Sequence, residues 1–203
     1  MDKKRGKKQK EMFSLKKQYK QSWEFLKESK NFIFWIIFLF FIFTLIGFFI
    51  PISDSLLKEI LKFINELLEK TKGMSQLELI WFIFLNNLEV SFFGMVAGIF
   101  LGIFSIIFAI SNGLFLGIVS ALTVQEEGYS VLLSLLPHGI FELSAIFISL
   151  GLGLKFGSFI FKKKKKQCFE NYFWNCLRVF FFIVVPLLIV AAIIEGSLIF
   201  LFR

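Results

Sequence analysis

Histidine, cysteine and charge are all scarce in this chain. Its one histidine is His138, and its two cysteines are Cys168 and Cys176. Because zinc sites in enzymes are commonly built from several histidines or cysteines, the sequence excludes a multi-histidine zinc site. The two cysteines lie far from His138 in the chain and are expected to be reduced thiols.

Apolar residues are correspondingly abundant. Charged residues make up 19% of the 203 residues and hydrophobic residues 57%, and the mean hydropathy is +0.76. No soluble domain of this length buries so much apolar surface, so we predict an all-α membrane protein with several transmembrane helices. The lipid bilayer is therefore its first expected partner.

The basic residues form two blocks. The formal net charge is +8, and the excess lies before the first apolar run and at residues 162–166. In a soluble protein such blocks would suggest nucleic-acid binding. Beside transmembrane helices they are better interpreted as orientation signals, because cytoplasmic loops are enriched in Lys and Arg. We expect no nucleic-acid partner.

Residues 1–30 form a basic leader. Leu15, Tyr19, Trp23 and Leu26 recur at helical spacing, which favours an amphipathic helix on the cytoplasmic leaflet, with a solvated charged leader as the alternative. No cleavable signal peptide is expected, because the first apolar run starts late and is long.

The rest of the chain, residues 31–203, is predicted to be a single transmembrane domain of about five spans. Asn86 and Asn87 interrupt a long apolar stretch, and residues 111–113 interrupt it again with a predicted turn. A turn near Gly102 is the alternative, and it would bury Asn112 at the middle of the membrane. The predicted spans lie near residues 32–50, 88–110, 113–124, 131–154 and 179–201.

Residues 53–72 have the pattern of an amphipathic helix with one stripe of leucine and isoleucine. Ser53 is suited to cap its N-terminus and Gly73 to end it. One interpretation is a surface helix packed on the rim of the helix bundle. The other is a docking site for a helix of a partner protein.

The charge pattern predicts the orientation of the spans. The basic leader places the N-terminus in the cytoplasm and the 53–72 helix outside. Glu126 and Glu127 then lie outside, residues 162–166 inside and the C-terminus outside. The predicted location is the plasma membrane.

Three glycines recur at every fourth position: Gly94, Gly98 and Gly102. Small residues on one face let helices approach closely in lipid. This face is expected to pack against another helix of the same chain, with homodimerisation as the alternative.

Ionisable groups inside the predicted spans indicate a functional site, because charge in hydrocarbon is costly. His138 and Glu142 are four residues apart and share one face of a helix. Glu195 lies near the outer end of the last span. The predicted topology brings polar residues together toward the outside: Asn86, Asn87, His138, Glu142 and Glu195, joined by Asn112 if the turn lies near Gly102.

Three kinds of function remain open for this polar cluster. It could hold the helices of a non-catalytic scaffold together, which is the preferred interpretation. His138, Glu142 and Glu195 could instead hold a divalent metal, or serve a hydrolase or lipid-headgroup enzyme in which a carboxylate is the general base. The carboxylates could also carry protons in a transporter. No cofactor is predicted apart from the divalent metal of the enzyme alternative.

Four short motifs follow one another from residue 86 to the C-terminus. They are Asn86-Asn87-Leu88, Asn112-Gly113-Leu114 with Leu116-Gly117, Leu136-Pro137-His138-Gly139 with Glu142, and Ala191-Ala192-Ile193-Ile194-Glu195. Together they resemble the stage II sporulation protein M (SpoIIM) family of multi-pass membrane proteins.

The resemblance implies a scaffold in remodelling of the cell envelope. In endospore formers the family protein is implicated in engulfment, where it works with two membrane-anchored peptidoglycan-degrading partners, and it is regarded as non-catalytic. Membrane proteins that remodel the envelope or its peptidoglycan are therefore the expected partners.

Overall fold

The computed structural model describes residues 14–130 and 136–201, with side chains from residue 139 onward in the second part. Within these ranges the regular structure is helical. Its α-helices are α1 (Leu15–Glu28), α2 (Lys30–Phe49), α3 (Asp54–Thr71), α4 (Gln76–Val96), α5 (Ile103–Glu127), α6 (Leu136–Gly157), α7 (Lys165–Val179) and α8 (Val185–Leu201). Short 3-10 segments lie at Ala97–Ile99 and Ser158–Phe161, and a π-helical turn at Phe180–Val184 joins α7 to α8.

Among the described residues, 5 helical segments are long and apolar enough to cross a membrane. Four are built on α2, α4, α5 and α6, and the fifth runs through α7 and α8. Their bounds are Lys30–Phe49, Gln76–Ile99, Ile103–Glu127, Gly139–Phe161 and Lys165–Leu201. The predicted all-α class with about five spans is confirmed.

The turn between the second and third spans lies near Gly102, as in the alternative placement. Leu101 and Gly102 have φ angles of 59° and 73°, in the left-handed region that glycine adopts without steric cost. The predicted turn at residues 111–113 is therefore wrong, and so are the bounds 88–110 and 113–124.

The start of the second span is set by a capping box that the sequence analysis did not use. Glu78 Oε2 accepts a hydrogen bond from the backbone N–H of Ser75 at 2.8 Å, and Ser75 Oγ accepts one from Glu78 N at 3.4 Å. This reciprocal pair begins α4 at Gln76, because it satisfies N–H groups that have no partner inside the helix. Asn86 and Asn87 consequently lie midway along α4 and not at its outer end.

Asn112 and Gly113 lie inside the continuous helix α5. The Asn112 amide donates a hydrogen bond to the Phe108 carbonyl oxygen at 2.8 Å, so its helix satisfies it locally. Gly113 lies against the backbone of Phe40 in α2, and Gly117 lies against Thr44. The polar and glycine-rich interruption is thus a contact surface between helices and not a turn.

Helix α6 occupies the centre of the bundle. It packs against α2, α4, α5 and α8, and its span is the most buried of the five. Gly153 and Gly157 of α6 leave no room for a side chain where they meet the Gly98–Gly102 region. This close approach fixes the position of α6 relative to α4, since every added methyl group would meet backbone atoms.

The amphipathic helix α3 is attached to the bundle at few points. Ser53 caps its N-terminus and Gly73 follows its end with φ +82°. Among its side chains only Ile60 is buried, and Phe63 makes an edge-to-face contact with Phe115 of α5. The bundle therefore covers only part of the apolar stripe.

The helical segment that contains the fifth span starts at Lys165, and the predicted span at residues 179–201 forms its apolar C-terminal part. The segment includes a π-helical turn shortly before Pro186. Proline lacks the N–H that an α-helix requires, and π-turns are a common way to accommodate such an irregularity. The fourth helix is described from residue 136, so residues 131–135 of its predicted span lie outside the described residues.

Helix α1 lies along α7 and the π-turn. Its Phe25 ring makes an edge contact with Tyr172, and Tyr19 makes one with Phe182. The leader is thus helical from Leu15 and is docked on the bundle.

Candidate functional site

Helices α4, α6 and α8 position the polar cluster, because each packs against the other two. Helix α4 carries Asn86 and Asn87, α6 carries Glu142, and α8 carries Glu195. Residues that are remote in sequence are therefore brought to adjoining helix faces.

Asn87 and Glu142 form the contact between α4 and α6. Glu142 accepts a hydrogen bond from the side-chain amide of Asn87. Asn87 is only 8% exposed, and its amide oxygen lies 3.5 Å from the amide nitrogen of the more exposed Asn86. A buried amide that satisfies a carboxylate removes a desolvation penalty of about 1–3 kcal/mol.

The second carboxylate, Glu195, lies near enough to Glu142 for the two to interact electrostatically. Its Oε2 atom is inaccessible to solvent and has no hydrogen-bond partner among the described residues. The ion pairs of the described residues do not include either carboxylate. Two carboxylates that interact in an apolar environment repel each other when both are charged.

Small polar side chains continue from the cluster toward the turn at Gly102. Ser91 and Ser149 are fully buried, and their hydroxyl groups have no hydrogen-bond partner in the described part of the chain. Ser105 of α5 donates a hydrogen bond to the Gly94 carbonyl oxygen at 2.9 Å. The small residues that follow Asn87 in sequence are thus divided between α4 and α5. The turn near Gly102 brings Ser105 of α5 back against Gly94 of α4.

One predicted member of the cluster stands apart from it, and the side chain of another is not described. Asn112 donates to its own helix, as described above. His138 belongs to the first turn of α6, and its side chain lies outside the described residues. The role predicted for His138 stays a prediction.

A divalent metal likewise stays a prediction. No group of three or more His, Cys, Asp or Glu side chains suited to a metal occurs among the described residues, and the side chain of His138 is not among them. Glu142 and Glu195 supply two carboxylates, oxygen ligands that hard cations such as Ca²⁺ prefer.

Gly94, Gly98 and Gly102 face α6 of the same chain. A methyl group added to Gly94 would meet Leu150, and one added to Gly98 would meet the backbone of Gly153. In this arrangement the glycines support the polar cluster, because they bring α4 close enough for Asn87 to reach Glu142.

Sequence reasoning missed a second ionic site, which is centred on Lys155. This lysine is 4% exposed, and its Nζ atom lies 3.3 Å from Glu28 Oε2 and 3.7 Å from the centre of the Phe25 ring. The signal was a single charge within the apolar run that follows Glu142. Since charge in such a run needs a partner, Lys155 marks the place where α1 docks.

The fold defines a polytopic α-helical membrane protein. The family model described as stage II sporulation protein M matches residues 36–198. The chain therefore belongs to the SpoIIM family, and the resemblance found in its four motifs is confirmed.

One curated relative is an uncharacterised protein of Methanocaldococcus jannaschii, 32% identical over 116 residues. The aligned stretch covers 54% of this chain and 65% of that relative. No solved structure matches the chain.

Proposed function

We propose that the protein is a non-catalytic membrane scaffold that organises an envelope-remodelling complex. The observation that carries this proposal is the apolar stripe of α3, most of which the bundle leaves uncovered. Family membership supports it, because scaffolding is the role expected from the SpoIIM resemblance.

The two edges of the apolar stripe of α3 differ in how far the bundle covers them. Ile60 is buried against the bundle. Leu61 and Leu68 lie about a quarter turn away around the helix and are 45% and 60% exposed. Exposed apolar positions of this kind on an amphipathic helix suit the groove or face of a partner helix.

The polar cluster has a supporting role in this proposal. Asn87, Glu142 and Glu195 connect three helices, and a polar contact inside a membrane bundle contributes about 0.6–2 kcal/mol. A rigid bundle would present α3 in a constant position to its partner.

Photocrosslinking in cells tests the scaffold directly. A benzophenone amino acid placed at Leu61 or Leu68 should crosslink to a membrane-anchored protein that remodels the envelope, identified by mass spectrometry. The matched control is Lys62, which lies on the polar side of α3. Crosslinks to lipid alone at Leu61 and Leu68 would show that α3 rests in the bilayer surface, and the scaffold proposal would fail.

A further inference from the structure

An apolar groove lies between α1, α6 and the fifth span. This α1 groove is lined by residues of α1, α6 and the π-turn region: Tyr19, Trp23, Leu26, Ile148, Phe182 and Pro186. Its volume is about 690 Å³, within the range of sites that hold small molecules.

The groove is preformed, because α1 is held in place on both sides of it. Lys155 binds Glu28 and the Phe25 ring at one end of α1. Near the other end, Arg178 Nε donates a hydrogen bond to Gln18 Oε1 at 2.6 Å. A site that is already ordered binds its ligand without a further ordering cost.

The lining suits a hydrocarbon chain. Tyr19, Trp23 and Leu26 follow helical spacing, so α1 turns one apolar face toward the groove. The opposite wall belongs to α6 and the fifth span, two helical segments that are long and apolar enough to cross a membrane.

The charge around the groove is positive. Lys16, Lys20 and Lys27 of α1 are exposed, and Lys27 Nζ lies 5.8 Å from the centre of the Trp23 ring. Helix α1 contains more lysines than glutamates, and both glutamates are paired: Glu28 with Lys155, and Glu24 with Lys20 at 4.0 Å. Basic side chains beside an amphipathic helix attract anionic lipid headgroups.

We propose that the α1 groove binds an anionic phospholipid, with one acyl chain against Trp23 and Ile148 and the headgroup phosphate beside Lys16, Lys20 and Lys27. The lipid belongs to the leaflet that α1 contacts. The proposal is independent of the scaffold role, because it uses neither α3 nor the polar cluster.

Native mass spectrometry of the protein in mild detergent tests the proposal, with phosphatidylglycerol and phosphatidylcholine added in equal amounts. The wild type should retain phosphatidylglycerol preferentially. The triple variant Lys16→Gln, Lys20→Gln, Lys27→Gln should retain less phosphatidylglycerol, by a factor of about ten or more. The reason is that each lysine near a membrane surface contributes about 1 kcal/mol.

The matched control is the triple variant Lys162→Gln, Lys163→Gln, Lys164→Gln, which removes the same charge away from the groove. A second variant, Ile148→Trp, keeps the lysines and fills the groove, and it should also lose the lipid. Circular dichroism and gel filtration establish that each variant is folded. Equal retention of both lipids by the wild type, or equal losses in the two triple variants, would overturn the proposal.

Discussion

Asn87 is the residue on which the contact between α4 and Glu142 depends. Its amide is almost fully buried and donates to the Glu142 carboxylate. Glu195 lies close by, and one of its oxygens has no hydrogen-bond partner within the part of the chain that the structure describes. The cluster is sensitive to the loss of the Asn87 amide, because the Glu142 carboxylate would then stay buried without this donor.

We expect Asn87→Leu to lower the free energy of unfolding by about 1–3 kcal/mol, since it leaves the Glu142 carboxylate without its donor. Thermal unfolding in detergent, followed by tryptophan fluorescence, measures the change. The control is Asn86→Leu, which alters the exposed neighbour on the same helix. Equal losses of stability in the two variants would contradict the importance of the Asn87 contact.

Lys155 makes two contacts with α1, one with Glu28 and one with the Phe25 ring. Their magnitudes indicate which of the two holds α1 more strongly. The Glu28 side chain is 68% exposed, and exposed ion pairs contribute little, about 0–1 kcal/mol. The Phe25 ring is buried and lies 3.7 Å from Nζ, and a desolvated cation–π contact contributes about 2 kcal/mol. The aromatic contact is therefore the stronger anchor.

At the scale of helices, glycine contacts determine which segments lie together. Gly98 meets the backbone of Gly153, and Gly113 and Gly117 meet the backbone of α2. In lipid, where the hydrophobic effect does not drive helices together, such close approach is a main source of association. The glycine positions therefore carry much of the packing of α4 and α5.

Gly98→Ala is expected to destabilise the bundle by about 1–3 kcal/mol, because the added methyl group overlaps backbone atoms that cannot move aside easily. Denaturant titration in mixed micelles measures the difference. Gly139→Ala is the matched control, since the nearest atom to its added methyl group is Leu143 Cδ1 at 4.0 Å. Wild-type stability in Gly98→Ala would show that α4 and α6 are not closely packed in this region.

The placement of α4 illustrates which local signals were available. Ser75 and Glu78 have the spacing of a capping box, which marks a helix start in sequence. Asn86 and Asn87 instead favour a span that starts near residue 88, which is later than the observed start of α4 at Gln76. Asn112 was less predictable, because an amide that bonds to its own helix and one that interrupts a helix look alike in sequence.

The whole molecule has an odd number of predicted crossings, so its two ends should lie on opposite sides of the membrane. The capped start of α4 and the turn at Gly102 preserve this arrangement. The two features place Asn87 deeper in its predicted span. The prediction that α3 and residues 162–166 lie on opposite sides of the membrane is unchanged.

Cysteine labelling tests the orientation. In a background of Cys168→Ser and Cys176→Ala, a membrane-impermeant thiol reagent should modify Ser55→Cys and Glu127→Cys in intact cells. Lys163→Cys should react only after the membrane is permeabilised, because basic loops face the cytoplasm. The reverse labelling pattern would refute the predicted topology.

Residues that are close together in the chain were enough to predict the class of protein, the number of long apolar helices and Asn87, Glu142 and Glu195 as polar residues within those helices. These follow from the length of the apolar runs and from the cost of polar groups in hydrocarbon. The sequence motifs also indicated the family. Such properties depend on residues that are close together in the chain.

Three features could be seen only in the folded chain: the position of the turn, the interaction of Glu142 with both Asn87 and Glu195, and the contact of Lys155 with α1. Each of these depends on contacts between helices far apart in sequence, and many pairings of apolar helices satisfy the same hydropathy pattern. The glycine contacts around α6 select one of them, because backbones approach closely only where small residues face each other.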